Sequence, residues 1–271
     1  MSKVPFFAAA AVATLAFSTA APVFAADGGQ YDSKGSVEFT PSTETTAPVD
    51  PLNPDPDNPI LPSNPDGSTP DAGTAGPLSL DFASSLDFGI QQITSSTMNY
   101  NASAQKYTDK DGNNETSGPD FVQLTDNRGS FAGWTLSVKQ DGQFKTAGGT
   151  ELDGAAVTFG SAKHVAANDT ADGVSTTESF TLDPTAGAIP VMSGEAATSG
   201  TNGTSGTHLL RFGDASALST ADVNGDGSSR GTTDTAIKLN VPGKSAKLAT
   251  KYATTFNWIL ADAPSAVAVV K

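Results

Sequence analysis

Cysteine is absent from the 271 residues, so there is no disulfide, no thiolate metal site and no cysteine nucleophile, and the fold must hold by its core alone. Histidine occurs only at His164 and His208, outside any His-x-His or His-Glu-x-x-His spacing, and each is expected as a lone surface or loop residue. Bases are scarce. Fifteen Lys and Arg stand against 29 Asp and Glu, and the net charge of −14 argues against holding nucleic acid or an anionic membrane by bulk electrostatics. Only 16% of residues are charged, while Gly, Ser, Thr and Ala abound, a composition suited to short strands and turns rather than helices. No helical period, Gly-x-Ser-x-Gly elbow or phosphate-cradling glycine motif occurs, and nothing marks a carboxylate pair for glycoside hydrolysis. No catalytic residue and no cofactor is therefore expected.

What is present falls into three parts. Residues 1–25 read as a secretory signal: Lys3, an apolar core over 6–17, then Val23-Phe24-Ala25 with small residues at the two positions a signal peptidase reads. The apolar run is shorter than the roughly 20 residues of a spanning helix. No other long apolar run follows, so an exported protein without a transmembrane anchor is expected. Residues 26–77 carry ten prolines among Asp, Asn, Ser and Thr, with Lys34 the one base, and should form a disordered, extended spacer. The alternative is a docking peptide for another protein. Leu61-Pro62-Ser63-Asn64-Pro65 only faintly suggests a sortase signal, since it lacks Thr-Gly and an apolar tail.

Residues 78–271 read as one all-β domain. Leu78, Leu80 and Phe82 alternate, and Leu80-Asp81-Phe82 recurs as Leu86-Asp87-Phe88 before Gly89. Trp134, Leu136 and Val138 share one face of a strand. So do Tyr252, Thr254, Phe256, Trp258 and Leu260 near the end of the chain. Segment 161–175 could be a short helix or a loop, and 192–206 reads as a long exposed loop. About ten short strands with irregular turns imply a single antiparallel β-sandwich or barrel-like domain. Both Trp residues fit a core face; the other reading places the indoles in a surface groove, where aromatic faces stack on sugar rings. Lys244, Lys247 and Lys251 cluster before the last strand, either as edge protection or as a cationic contact for an anionic wall polymer. Asp222, Asn224 and Asp226 with Gly227 match the opening of a calcium loop. Position twelve is Thr233 rather than Glu, and an exposed hairpin tip has the same composition, so this is a weak candidate.

Taken in order, Leu80–Gly89, Gly133-Trp134-Thr135-Leu136, the stretch ending Leu239-Asn240-Val241-Pro242-Gly243, and Trp258-Ile259-Leu260 near the C-terminus resemble the WxL-domain surface proteins of low-GC Gram-positive bacteria. One departure is that Asn257 and Ile259 flank Trp258 where family members often carry Thr. The resemblance covers 78–271. It implies an exported surface protein that attaches non-covalently to the cell wall, chiefly peptidoglycan, as a structural or interaction module. It also implies companion surface proteins with immunoglobulin-like domains. The motif residues it points to are Trp134, Leu136, Trp258 and Leu260. The alternative is a secreted adhesin or carbohydrate-active protein whose main ligand is a host protein or glycan.

Overall fold

A computed structural model of the protein describes residues 31–167, 173–199 and 203–262. The expected export signal, residues 1–25, lies outside the described residues. The chain divides into two units between Phe39 and Thr40. In the first, residues 31–39 carry no regular secondary structure and leave Tyr31, Val37 and Phe39 exposed. The second unit contains every described strand.

The strands are short. In chain order they are β1 (Ile60–Ser63), β2 (Leu78–Ala83), β3 (Met98–Ser103), β4 (Gln105–Asp109), β5 (Thr116–Gly118), β6 (Phe121–Asp126), β7 (Trp134–Gln140) and β8 (Ala156–Phe159). Then come β9 (Ala162–Ala166), β10 (Val174–Thr176), β11 (Phe180–Thr181), β12 (Ile189–Gly194), β13 (Gly206–Phe212), β14 (Leu218–Ser219), β15 (Thr233–Val241) and β16 (Phe256–Ala261). A single turn of 3-10 helix, Ala215–Ala217, is the only helix among the described residues. The described residues of segment 161–175 contribute β9 and the start of β10, and 168–172 lie outside the described residues. The expected loop from 192 begins later than its composition suggests, because Met192 is fully buried in β12.

The expected all-β class holds, but the single sandwich or barrel does not. The strands form four small antiparallel sheets in a propeller-like ring, ordered β1–β4–β5, β2–β6–β13–β9, β10–β12–β7–β16 and β11–β8–β15–β14, with β3 also paired to β15. Short strands and bulges explain this. Register shifts at Leu80/Phe82, Pro190/Met192 and Asp234/Lys238 break the ladders that one continuous sheet would need.

The β2–β6–β13–β9 sheet is covered on both faces. Its Val122, Leu124, Leu210 and Phe212 join the main core with Trp134, Leu136 and Val138 of β7 and with Val157, Phe159, Ile237 and Leu239. Its other face packs Phe121 and Leu209 against Val49, Ile60 and Tyr107. This is why β6 is buried at every position. The bulge in β2 sends Leu80 to the main core and Phe82 to the second core, although the two share parity in the sequence. Each large apolar side chain so enclosed stabilises the fold by about 1.5–3 kcal/mol.

For residues 47–63 the second core departs from the reading of 26–77 as a disordered spacer, while 26–30 lie outside the described residues. Val49 is buried, and its N–H donates to Gln123 Oε1 at 2.9 Å, while Gln123 Nε2 donates to the Ala47 carbonyl at 3.0 Å. Tyr107 donates its hydroxyl to Asp50 at 3.0 Å, Arg211 Nη1 reaches the Pro51 carbonyl at 3.2 Å, and β1 pairs with β4. The proline-rich chain is thus laid onto the domain wherever an apolar residue, Val49 or Ile60, gives it something to bury.

Candidate functional site

The motif strands are set up from the turn before β7. Arg128 Nε and Nη2 donate to the two Asp126 carboxylate oxygens at 2.9 and 2.7 Å, and Nη2 also reaches the carbonyls of Ala132 and Gly133 at 2.8 and 3.1 Å. The bond to Asp126 holds the guanidinium above its ordinary pKa and the paired fork fixes the chain entering Trp134. Trp134 is fully enclosed. Its Nε1 donates to the Thr204 carbonyl at 3.0 Å, and its ring centroid lies 5.1 Å from that of His208. Opposite it on β12 stands Gly194, where a Cβ would collide with the indole and the Thr204 hydroxyl. Leu136 and Val138 are equally enclosed.

β16 is the edge strand of the same sheet and lies antiparallel to β7. Leu260 sits opposite Leu136 and Trp258 opposite Val138, so two motif segments more than a hundred residues apart become one apolar face. Trp258 is half-buried. It meets Phe159 edge-on at 6.1 Å and Phe212 at 6.3 Å, and Leu260 also packs on the core. Ile259 points the other way and is 41% exposed. The strand begins at Phe256, so Tyr252 and Thr254, expected on it, precede it; Tyr252 instead accepts the Leu248 N–H at 2.8 Å.

A family model for a surface cell wall-binding domain, the WxL domain, matches residues 26–264. The chain belongs to the WxL-domain family. Comparison with curated proteins and with solved structures gives no match. The family match starts well before Leu78 and takes in the proline-rich stretch that the structure lays against the domain. In this WxL domain, Trp134 and Leu136 are core residues. Trp258 and Leu260 face the core from the edge of the sheet.

Beneath Trp258 the WxL domain holds a group that sequence patterns missed. A cavity of about 10 Å³, room for about one water, is lined by Trp258, Phe256, Phe159, Phe212 and Asp120. Asp120 is buried and neither carboxyl oxygen meets a hydrogen-bonding partner in good geometry, although the Ser84 hydroxyl is near enough to ease the charge slightly. Burial first, and the Asp234 carboxylate second, push Asp120 well above the usual carboxylate range. Asp234, also raised by burial, accepts the Asp120 and Ala236 N–H groups at 2.9 and 2.8 Å. Asp120 follows a run of turn formers and Asp234 lies before a bulge, so neither reads as buried from alternation.

The two histidines, expected to be isolated, are corrected to a pair. His164 Nε2 and His208 Nδ1 lie 2.9 Å apart. Cross-strand pairing of β9 with β13 brings them together. Burial lowers both to a pKa of about 4, so both are neutral at pH 7.

The lysine cluster is also partly corrected. Lys244 and Lys251 are exposed, but the Lys247 ammonium donates to the carbonyls of Ser245, Pro242 and Thr94 at 2.9, 3.1 and 3.2 Å and serves as a turn clamp. The calcium candidates do not turn inward together. Asp222 accepts from Asn101 at 2.9 Å and from the Thr233 hydroxyl, Asn224 Oδ1 from Ile90 N–H at 3.1 Å, and Asp226 from the Ser228 N–H at 2.9 Å. Among the described residues no cluster of three or more His, Asp or Glu side chains is placed to hold a metal.

Proposed function

We propose that this protein attaches non-covalently to the cell wall through its β domain, with peptidoglycan as the wall component bound, and acts there as a structural or interaction module. The observation that carries the reading is the match of residues 26–264 to a surface cell wall-binding domain. The paired motif strands support a shared role for both Trp segments: β7 and β16 lie side by side and turn their apolar residues to one core. Companion surface proteins with immunoglobulin-like domains are the partners that the family resemblance implies, and export ahead of wall attachment fits the apolar first 25 residues. Sedimentation with purified peptidoglycan sacculi, coupled to a sugar-release assay, tests the reading. Retention without release supports it. Release of sugars, or retention only on whole cells and not on naked sacculi, rejects it.

A further inference from the structure

A cleft of about 480 Å³ lies where the ends of β9, β10 and β13 meet the 3-10 turn. Its size falls within the roughly 300–1,000 Å³ of small-ligand sites, but its lining is polar. Lys163 and Arg211 stand directly opposite each other on β9 and β13, and so point to the same face of the sheet. Like charges in that position repel, and a chain with a net charge of −14 has ample acids to separate them. Among the described residues neither cation is in an ion pair, although both lie near enough to Asp214 to add to the Ser216 hydrogen bonds that hold its carboxyl below the usual range. Lys163 is exposed. Arg211 donates one Nη1 bond to the Pro51 carbonyl, and its Nε is enclosed without an acceptor. Ser161, at the cleft wall, holds a left-handed backbone at φ 50°, strain of a kind that gathers at binding sites.

The cations at the neighbouring cleft and in the lysine cluster's turn are engaged elsewhere, whereas Lys244 and Lys251 are exposed outside this cleft's lining. In a second cleft of about 190 Å³, Arg230 donates to the Asn101 and Asp87 carbonyls and to Ser103, and Lys106 has Glu115 at 3.9 Å. Lys247 is spent on backbone carbonyls. The Lys163–Arg211 cleft joins two cations outside any ion pair to an open volume. Glu178 and Asp214 in the same lining supply acceptors, and Ser161 and Thr176 supply hydroxyls, a lining for the hydroxyl groups of a saccharide rather than for an apolar molecule.

We infer that this cleft binds a carboxylate carried on a hydroxyl-rich wall polymer, with Lys163 and Arg211 taking the carboxylate and the acidic and hydroxyl wall taking neighbouring sugar hydroxyls. This rests on the wall-binding reading and names the chemistry of its contact. Arg211 also holds Pro51, so the exposed Lys163 is the position to change.

The test uses full-length protein and sacculi stripped of phosphodiester polymers by hydrofluoric acid, before and after their carboxyls are coupled to ethanolamine with carbodiimide. Wild type should bind untreated sacculi on the order of tenfold or more tightly than amidated ones, and Lys163→Glu should fall to the amidated level. Lys163→Gln should lie between. Lys238→Glu, an exposed charge reversal on β15, should behave as wild type on both. Wild type that binds sacculi but ignores both amidation and Lys163→Glu overturns the cleft alone, as does a loss with Lys238→Glu equal to that with Lys163→Glu. Wild type that does not sediment with untreated sacculi overturns the wall-binding reading, and the cleft's ligand with it.

Discussion

Replacing Trp134 with alanine removes a side chain enclosed on every side whose N–H has a single acceptor, Thr204 O. The cavity left behind should cost about 3–5 kcal/mol, a large part of the stability of an ordinary domain. Trp258 is only half-buried at a sheet edge, so Trp258→Ala should cost about 1–2 kcal/mol, less than full burial of a large apolar side chain is worth. Urea unfolding followed by circular dichroism measures both, and equal losses would contradict the two environments. Asp120 makes a separate case. Burial, with the Asp234 carboxylate beside it, raises its folded pKa above its unfolded value. The stability it contributes is complete below the ordinary 3.8 and is lost as pH rises through the folded value. Asn keeps the shape and cannot ionise. Asp120→Asn should therefore raise the thermal midpoint at pH 8 and leave it nearly unchanged at pH 4.

At the scale of elements, two attachments hold the domain together. Gln123 binds the proline-rich segment with both ends of its amide, to Val49 N–H and Ala47 O. Gln123→Leu removes both bonds and a third to Asp81 Oδ2 at 3.0 Å, while Thr125 and Ser79 still donate to Asp81, so limited proteolysis should cut faster within 47–63 while the remaining fragment stays resistant. Cleavage at the wild-type rate would show that Val49 and Ile60 alone hold the segment. The other attachment is β16 on β7. Ending the chain before Phe256 uncovers Leu136 and Val138, which are fully buried in the intact sheet. The truncated product should show lost cooperativity in thermal unfolding and should no longer sediment with sacculi. A folded, wall-retained truncation would sink the idea that β16 closes the domain.

Across the whole molecule, two buried sets of titrating groups oppose each other. The histidine pair, lowered from 6.5 to about 4 by burial, contributes stability that is complete above 6.5 and is lost as pH falls through about 4. The Asp120–Asp234 pair, raised by burial, loses its contribution as pH rises above the carboxylate range. The thermal midpoint should pass through a maximum on the acid side of neutrality and fall on both sides. In Asp120→Asn the fall on the alkaline side should be shallower. A midpoint that climbs steadily from pH 4 to pH 8 in wild type would mean that the carboxyls are not buried as a pair.

The residues themselves determined the all-β class, the inward face of β7 and the motif pair, because side-chain alternation is local and Trp, Leu and Val repeat on it plainly. Composition also ruled out disulfides and bulk anion binding. Only the tertiary structure decided what long-range pairing controls. A bulge turned Phe82 away from Leu80, so one apparent face served two cores. Strand pairing joined His164 to His208 and Lys163 to Arg211. Sparse contacts from Val49 and Ile60 drew a proline-rich stretch out of solvent. The physical reason is the same in each case: a pattern along the chain shows which residues can share a face, while a partner's identity depends on register and sheet order set by the packing of the whole core.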